Sequence, residues 1–182
     1  MDGMSGIRVR VTIARREPEF AAPDDESFGR VLLERVMKVA GRGPIAPAVL
    51  LLGDDVRIVY AGPLLAAAKD RHRVLASLAG QPGVEAIAIL GRFTQRQKGT
   101  EARALAGVFV EWPDGRWWAS WRPVDSGGRL IPTDEDEVLR AVDGLSRPGG
   151  LGGWFSRARF EGLRAELTPI PARAPVSDET VN

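Results

Sequence analysis

The feature that most constrains the fold is a short apolar run, AVLLL, at positions 48–52. The residues Gly53, Asp54 and Asp55 follow it, and the stretch VRIVY comes next at 56–60. A run this short is typical of a strand, and Gly-Asp-Asp is typical of a tight turn, so the sequence predicts a β-hairpin. Because the first strand has no polar residue, it has to be covered on both faces. The fold therefore needs further elements on each side of a sheet.

The rest of the chain supplies those elements. Alternation of apolar and polar residues predicts an edge or near-edge strand at 7–13, and apolar or alternating runs predict three more at 84–90, 104–112 and 117–122. Capping residues and apolar stripes predict helices between Ser27 and Gly41, over 64–79, and from Thr133 onward. Hairpins dominate the connections, which predicts an α+β fold with a mostly antiparallel mixed sheet of about five to six strands and two to three packed helices.

This order of elements, over about residues 24–145, resembles that of roadblock-like or profilin-like scaffold domains. The resemblance depends on element order and on no sequence motif. It implies a scaffold-type fold, and it transfers no functional residue.

The composition of the sequence changes after Ser146. RPGGLGG is typical of a flexible linker, WFSRARFEGLRAEL is helix-like, and TPIPARAPVSDETVN is proline-rich and polar. We therefore predict a globular domain at 1–147, followed at 148–182 by a linker, a short amphipathic helix and a polar tail. Phe160, Leu163 and Leu167 fall on one side of that helix. A helix this short needs a surface to fold on, which is its own domain, another subunit or a different partner.

Composition excludes several kinds of site. The chain has no cysteine and one histidine, His72, which excludes disulfides, thiolate nucleophiles and zinc sites built on cysteine. Its acidic clusters are explained by a hairpin turn and a helix start, and no nucleotide-binding or catalytic motif occurs. We therefore predict no catalytic residue, metal or cofactor. The chain shows no signal peptide and no apolar stretch of about 18 residues, which predicts a cytoplasmic protein without membrane contact.

Four of the five tryptophans lie in VEWPDGRWWASWRP at 110–123. A two-residue turn at Asp114 and Gly115 would place Trp112, Trp117 and Trp121 on one face. A bulged turn would instead place Trp112 and Trp118 on one face and Trp117 and Trp121 on the other. The first arrangement is favoured because it collects apolar area on one side. It leaves Trp118 on a mixed face, where a partner or a nucleic-acid base would contact it together with Phe109 and Arg122.

Basic residues provide the second group of candidates. Arg71 is predicted near the middle of an apolar helix face, where a guanidinium requires a structural ion pair or a ligand anion. A polar loop and the hairpin after it carry further cations that are able to follow a phosphate backbone: Arg92, Arg96, Lys98, Arg103 and Arg116. The formal net charge of +1 limits such binding to a local patch.

These observations favour a non-enzymatic protein-interaction module, a self-associating scaffold or an accessory subunit of a larger assembly. Its C-terminal helix is the predicted docking element, and a protein partner or a second copy is the predicted ligand. The predicted contact residues are Trp118, Arg122, Phe109, Trp154, Phe155, Phe160, Leu163 and Leu167. The alternative is a nucleic-acid-binding subunit that uses the basic loop at 92–103 and the tryptophan hairpin. An enzyme of unrecognised type ranks third.

Overall fold

The computed structural model describes residues 7–15, 29, 31, 32, 34, 35, 38, 47–60, 65, 70–95, 99, 101–129, 131 and 151–170. Seven strands and two helices fall within them: β1 (Ile7–Arg15), β2 (Ala48–Leu52), β3 (Asp55–Tyr60), α1 (Arg71–Ala79), β4 (Ala86–Gln95), β5 (Arg103–Glu111), β6 (Trp117–Pro123), α2 (Trp154–Glu161) and β7 (Ala165–Pro169). The predicted α+β class with a mostly antiparallel sheet is confirmed. The sheet has seven strands, more than the five or six predicted.

The strands form a single sheet in the order β6-β5-β4-β2-β3-β1-β7. Five of the neighbouring pairs are antiparallel, and β7 runs parallel to β1 from the pair Ile7 and Ala165 to the pair Val11 and Pro169. A parallel neighbour requires a crossover, which here is almost the whole chain. The first and last strands described therefore lie side by side.

Both faces of the sheet are covered, as the apolar run at 48–52 required. Leu51 and Leu52 point to opposite faces, and both are buried. Leu51 belongs to a core that includes α1 and α2, which defines the α1/α2 face. Leu52 belongs to a second core with Leu32, which defines the Leu32 face.

The Leu32 face is covered in part by the segment predicted as the first helix. Six of its residues are described, and all are helical: Gly29, Val31, Leu32, Glu34, Arg35 and Lys38. Alanines such as Ala86, Ala88 and Ala106 line the strands there. A Cβ on Gly29 would overlap the indole ring of Trp118, so the segment approaches the sheet closely at this glycine. The predicted helix from Thr133 lies outside the described residues.

The favoured register of the tryptophan hairpin is wrong. Glu111 pairs with Trp117 and Val110 with Trp118, which is the bulged alternative. Gly115 has φ of 88°, and its N–H donates to the carbonyl of Trp112, so the turn places glycine in the left-handed region. The tryptophans are therefore divided between the faces. Collecting them on one face would gain nothing, because both faces are buried.

The helix predicted over 64–79 needs a correction at its centre. Leu65 is helical, but Asp70 has φ of −122° and ψ of 88° and acts as the N-cap of α1 by accepting a hydrogen bond from the N–H of Arg73 at 2.9 Å. An aspartate at this position satisfies one of the free N–H groups of the first turn. Arg71 is consequently the first residue of α1 and is exposed. The expectation that its guanidinium lies in an apolar face is wrong.

The segment predicted as one long C-terminal helix is a short helix and a strand. Gly162 has φ of 64° and ends α2, a conformation that glycine adopts without strain. From Ala165, alternate residues point inward and outward, and the chain pairs with β1. Phe160, Leu163 and Leu167 therefore do not share a helix face.

Candidate interaction surface

The start of α2 is fixed by a buried carboxylate from the sheet. Glu111 is only 1% exposed, and it accepts hydrogen bonds from the N–H groups of Gly153 and Trp154, the second at 3.0 Å. Gly152 and Gly153 have φ of 82° and 78°, which turns these N–H groups toward the sheet. A negative charge at a helix N-terminus interacts favourably with the helix dipole. The glycines at 152 and 153, predicted as part of a linker, thus belong to a defined cap.

The inner side of α2 lies in the core. Trp154 is fully buried, and its ring packs edge-to-face on Phe109 with centroids 5.4 Å apart. The ring centroid of His72 lies 6.3 Å from that of Trp154. Phe155 and Ala158 are also buried. These contacts dock α2 on its own chain, one of the three surfaces that the sequence left open.

An ion pair connects the two helices at the surface. Arg157 donates to Asp70 at 2.9 Å and to Glu161 at 2.7 Å. The hydrogen bonds from Arg157 and from the backbone of Arg73 lower the pKa of Asp70 below its ordinary value, and the same ion pair raises the pKa of Arg157. The N-cap of α1 and the outer rim of α2 are therefore joined through one carboxylate.

The end of α2 packs against α1. Leu163 is buried, and a Cβ on Gly80 would overlap its carbonyl oxygen. The side chain of Gln81 donates to the carbonyl oxygen of Ala165 at 2.6 Å, which ties α1 to the start of β7. Helix α2 is thus held at its N-terminus, along its inner side and just beyond its C-terminus.

The outer side of α2 carries the most exposed large apolar residue among those described. Phe160 is 91% exposed, whereas Ile13, Ile131 and Ile170 are 41–45% exposed. Its helix neighbour Ser156 is exposed, as are Arg159 and Arg164. The arrangement is an aromatic ring in solvent on a helix that packing and hydrogen bonds hold in place, with exposed arginines at positions 159 and 164 of the same segment.

Most of the other predicted contact residues are buried. Trp118 is 5% exposed and packs in the core of the Leu32 face, so the expectation that it lies at the surface is wrong. The physical reason is the bulged register, which turns Trp118 toward the helical segment at Gly29. The remaining predicted residues are buried or half-buried: Phe109, Trp154, Phe155 and Leu163 are buried, and Leu167 and Arg122 are half-buried.

The predicted basic residues do not form one path. Arg116 lies in the β5–β6 turn, where it donates to Asp114, lowers the pKa of that carboxyl and lies over the ring of Trp112 at 5.7 Å. Arg103 is at the opposite end of β5, paired with Gln95. The two ends of β5 are eight residue steps apart, about 26 Å. Arg92 and Arg122 lie in one row of the sheet, and Arg96 and Lys98 lie outside the described residues.

The outer edge of β7 is poorly suited to adding another strand. The N–H of Ile170 bonds the carbonyl of Val11, so by alternation Ala165, Leu167 and Pro169 turn their backbone groups outward. Gln81 already occupies the carbonyl of Ala165, and proline has no N–H. Leu167 alone presents both groups, which disfavours β-augmentation here.

Sequence reasoning missed two residues that position this surface. The sequence alone gives Glu111 no specific role, and it predicts Asp70 inside the helix over 64–79. A glutamate within an otherwise apolar strand indicates a buried polar partner. An aspartate at the start of a helical stretch, where it is able to accept a hydrogen bond from the N–H three residues later, indicates an N-cap. Neither signal shows which helix or strand the side chain contacts.

The chain matches no protein-family model, and no curated protein or solved structure is significantly similar to it. Within the described ranges, no group of three histidine, aspartate or glutamate side chains is placed to hold a metal ion. None of the helices in those ranges is long and apolar enough to span a membrane.

Proposed function

We propose that this chain is a non-enzymatic protein-interaction module that contacts a protein partner or a second copy through the outer side of α2. The observation that carries the proposal is the 91% exposure of Phe160 on a helix whose inner residue, Trp154, is fully buried. Exposing a phenylalanine forgoes the free energy of burying it, about 1.5–3 kcal/mol, and an interface recovers this.

The fixed position of α2 supports this role. Side chains that are already ordered lose little conformational entropy on binding, and aromatic residues and arginine are enriched in interface cores. Arg159 and Arg164 are exposed and lie within four residues of Phe160 in the sequence. The complementary surface is therefore an apolar pocket with acidic residues at its rim. This differs from the tethered helix expected from sequence, which would fold only on binding.

The proposal includes the finer expectations from sequence: a scaffold or accessory subunit of a multi-protein assembly, in the cytoplasm, with an element order similar to roadblock-like or profilin-like domains. The packing of His72 against Trp154 supports a structural use of the single histidine. Glu111 likewise has a structural use as a helix cap.

Site-specific photo-crosslinking tests the proposal. A photoreactive phenylalanine analogue at position 160, in the full chain expressed in its native cells, should yield one defined adduct, either with a second copy or with another protein. The same analogue at Ile131, which is 45% exposed, is the matched control. Equal adducts from both positions, or none from position 160, would contradict the proposal.

Sedimentation velocity tests self-association separately. If a second copy is the partner, Phe160→Asp should shift the chain to monomer, whereas Ile131→Asp should not. Circular dichroism provides the folding control, and both variants should give the wild-type spectrum because both residues are exposed. If the chain is monomeric at all concentrations, the partner has to be a different protein. The crosslinked adduct should then contain that protein.

Nucleic-acid binding is the second candidate and has less support. Trp112, Trp118 and Trp121 are buried, so they do not offer faces on which bases stack. The separation of Arg116 from Arg103 also divides the predicted backbone path. What supports it is the placement of Arg92 and Arg122 on one face of the sheet.

A further inference from the structure

The turn between β5 and β6 contains the dipeptide Asp114-Gly115. An aspartate followed by glycine is prone to isomerisation, because glycine has no Cβ to hinder attack by its backbone nitrogen on the aspartate side chain. Asp114 is exposed, so water reaches this dipeptide. The chemistry is therefore available at this position unless the fold opposes it.

The reaction first closes a ring. The backbone nitrogen of Gly115 forms a bond to the side-chain carboxyl carbon of Asp114 and loses its proton, and one carboxyl oxygen leaves as water. Water then opens the cyclic imide, and opening at the former backbone carbonyl gives isoaspartate. The first step needs a protonated carboxyl, since a carboxylate is a poor electrophile, and it needs a nitrogen that is free to lose its proton.

Arg116 holds both oxygens of the Asp114 carboxylate. Its backbone N–H donates to Oδ1 at 3.0 Å, and its side-chain Nε donates to Oδ2. The hydrogen bond from the Arg116 side chain, and after it the one from the Arg116 backbone, lower the pKa of Asp114 below its ordinary value. The carboxyl therefore stays ionised, and it is not free to turn toward the nitrogen of Gly115.

The attacking nitrogen is held as well. The N–H of Gly115 donates to the carbonyl of Trp112 at 2.9 Å, and the N–H of Trp112 donates to the carbonyl of Arg116 at 3.0 Å. Loss of the Gly115 proton would break the first of these hydrogen bonds. The guanidinium of Arg116 also lies 5.7 Å from the centroid of the Trp112 ring, which is buried. The contacts of Arg116 thus keep both reacting groups of the turn in place.

We propose that Asp114-Gly115 is a latent isomerisation site that Arg116 protects in the folded chain. The modified residue would be isoaspartate, which lengthens the backbone by one carbon atom. Because this turn sets the register of β5 and β6, the extra atom would disturb the pairing of Glu111 with Trp117. Loss of the Arg116 contact would therefore expose the hairpin to slow chemical damage.

Ageing of the full chain at about pH 6 tests the proposal. A glutamate-specific protease releases the fragment 112–135, in which electron-transfer mass spectrometry measures isoaspartate at position 114. In Arg116→Ala it should form about threefold to tenfold faster than in wild type, because more of the Asp114 carboxyl is protonated and the side chain is free to turn. Arg116→Lys should be intermediate, since lysine keeps the charge but lacks Nε.

Arg129→Ala is the matched control. Arg129 is an exposed arginine in the next turn of the chain, where its backbone N–H, which the substitution retains, donates to Asp125. This variant should form isoaspartate at position 114 at the wild-type rate, and circular dichroism should show that all variants fold. An unchanged rate in Arg116→Ala, or an equal increase in Arg129→Ala, would overturn the proposal.

A comparison within the wild type needs no variant. In concentrated guanidinium chloride at the same pH, isoaspartate at position 114 should form at least about tenfold faster than in the folded chain, because the hydrogen bonds of the turn are lost. Equal rates in the folded and unfolded chains would show that the turn gives no protection, and would overturn the proposal.

Discussion

The two faces of the sheet are covered in different ways. The α1/α2 face carries large side chains such as Phe109, which packs against Trp154 of α2, a helix from a distant part of the sequence. The Leu32 face carries alanines beneath a helical segment that approaches the sheet at Gly29. At Phe109 the contact with a helix is made by large side chains that fill the space, and at Gly29 it is made by a glycine that allows a close approach. Mutations at the first contact should therefore be harmful by removing volume, and mutations at the second by adding it.

The largest effect should come from Trp154→Ala. Removing a fully buried indole leaves a cavity beside Phe109 and releases the inner side of α2, so we expect a loss of about 3–5 kcal/mol in the free energy of unfolding. Trp154→Phe should cost less, since it keeps a ring and removes an indole N–H that has no acceptor among the described residues. Urea denaturation measures both.

Phe160→Ala is the control for that prediction. It removes an aromatic ring from the same helix, but Phe160 is 91% exposed, so the free energy of unfolding should change by no more than about 0.5 kcal/mol. A loss comparable with that of Trp154→Ala would show that Phe160 is packed in solution and would remove the main support for the interaction surface.

The opposite face should respond to an added methyl group. In Gly29→Ala the new Cβ overlaps the ring of Trp118, and we expect a net loss of about 1–2 kcal/mol after the better helix propensity of alanine is counted. A double-mutant cycle with Trp118→Ala isolates this contact. In the Trp118→Ala background, Gly29→Ala should be neutral or stabilising. An equal loss in both backgrounds would place the cause elsewhere.

The smallest effect should be a dependence on pH at the rim of the α1/α2 face. The pKa of Asp70 is lowered in the folded chain, mainly by the hydrogen bond from Arg157. Its contribution to stability is therefore complete above the ordinary pKa of 3.8 and is lost as pH falls below it through the lowered folded value. Asp70 and Arg157 should thus stabilise α1 and α2 at neutral pH and cease to do so in strong acid.

Urea midpoints measured for wild type and Arg157→Gln between about pH 7 and pH 2.5 test this sign. The difference between the two proteins should be constant at neutral pH and should shrink in acid. Arg159→Gln, which changes an exposed arginine on the same helix, should show no such convergence. A difference that grows as pH falls would have the opposite sign and would exclude the ion pair as its cause.

Local patterns were enough to predict the hairpin at 48–60, the central strands and the fold class. The apolar run at 48–52 also predicted that both faces are covered, because an all-apolar strand has no side to present to water. The register of the tryptophan hairpin was not predictable from local preference. Both registers suit the turn residues, and the choice depends on what covers each face.

The C-terminal region shows most clearly what local sequence patterns do not predict. Glycines at 152 and 153 are equally compatible with a linker and with a helix cap, and only the position of Glu111 distinguishes the two. Likewise, the sequence at 165–169 becomes a strand because β1 is available to pair with it. In both cases the deciding partner is remote in sequence. Of the candidate surface, Phe160 was predicted, whereas the burial of its neighbours was not.

The parallel pairing of β1 with β7 also has a consequence for biosynthesis. The ion pair between Arg8 and Glu166 joins residues 158 positions apart, so β1 leaves the ribosome long before the strand that completes it. At ordinary translation rates this interval is roughly 8–30 s. During that time β1 presents an unpaired edge together with the apolar Val9 and Val11. A nascent chain of this protein therefore needs protection at β1 until β7 has been synthesised.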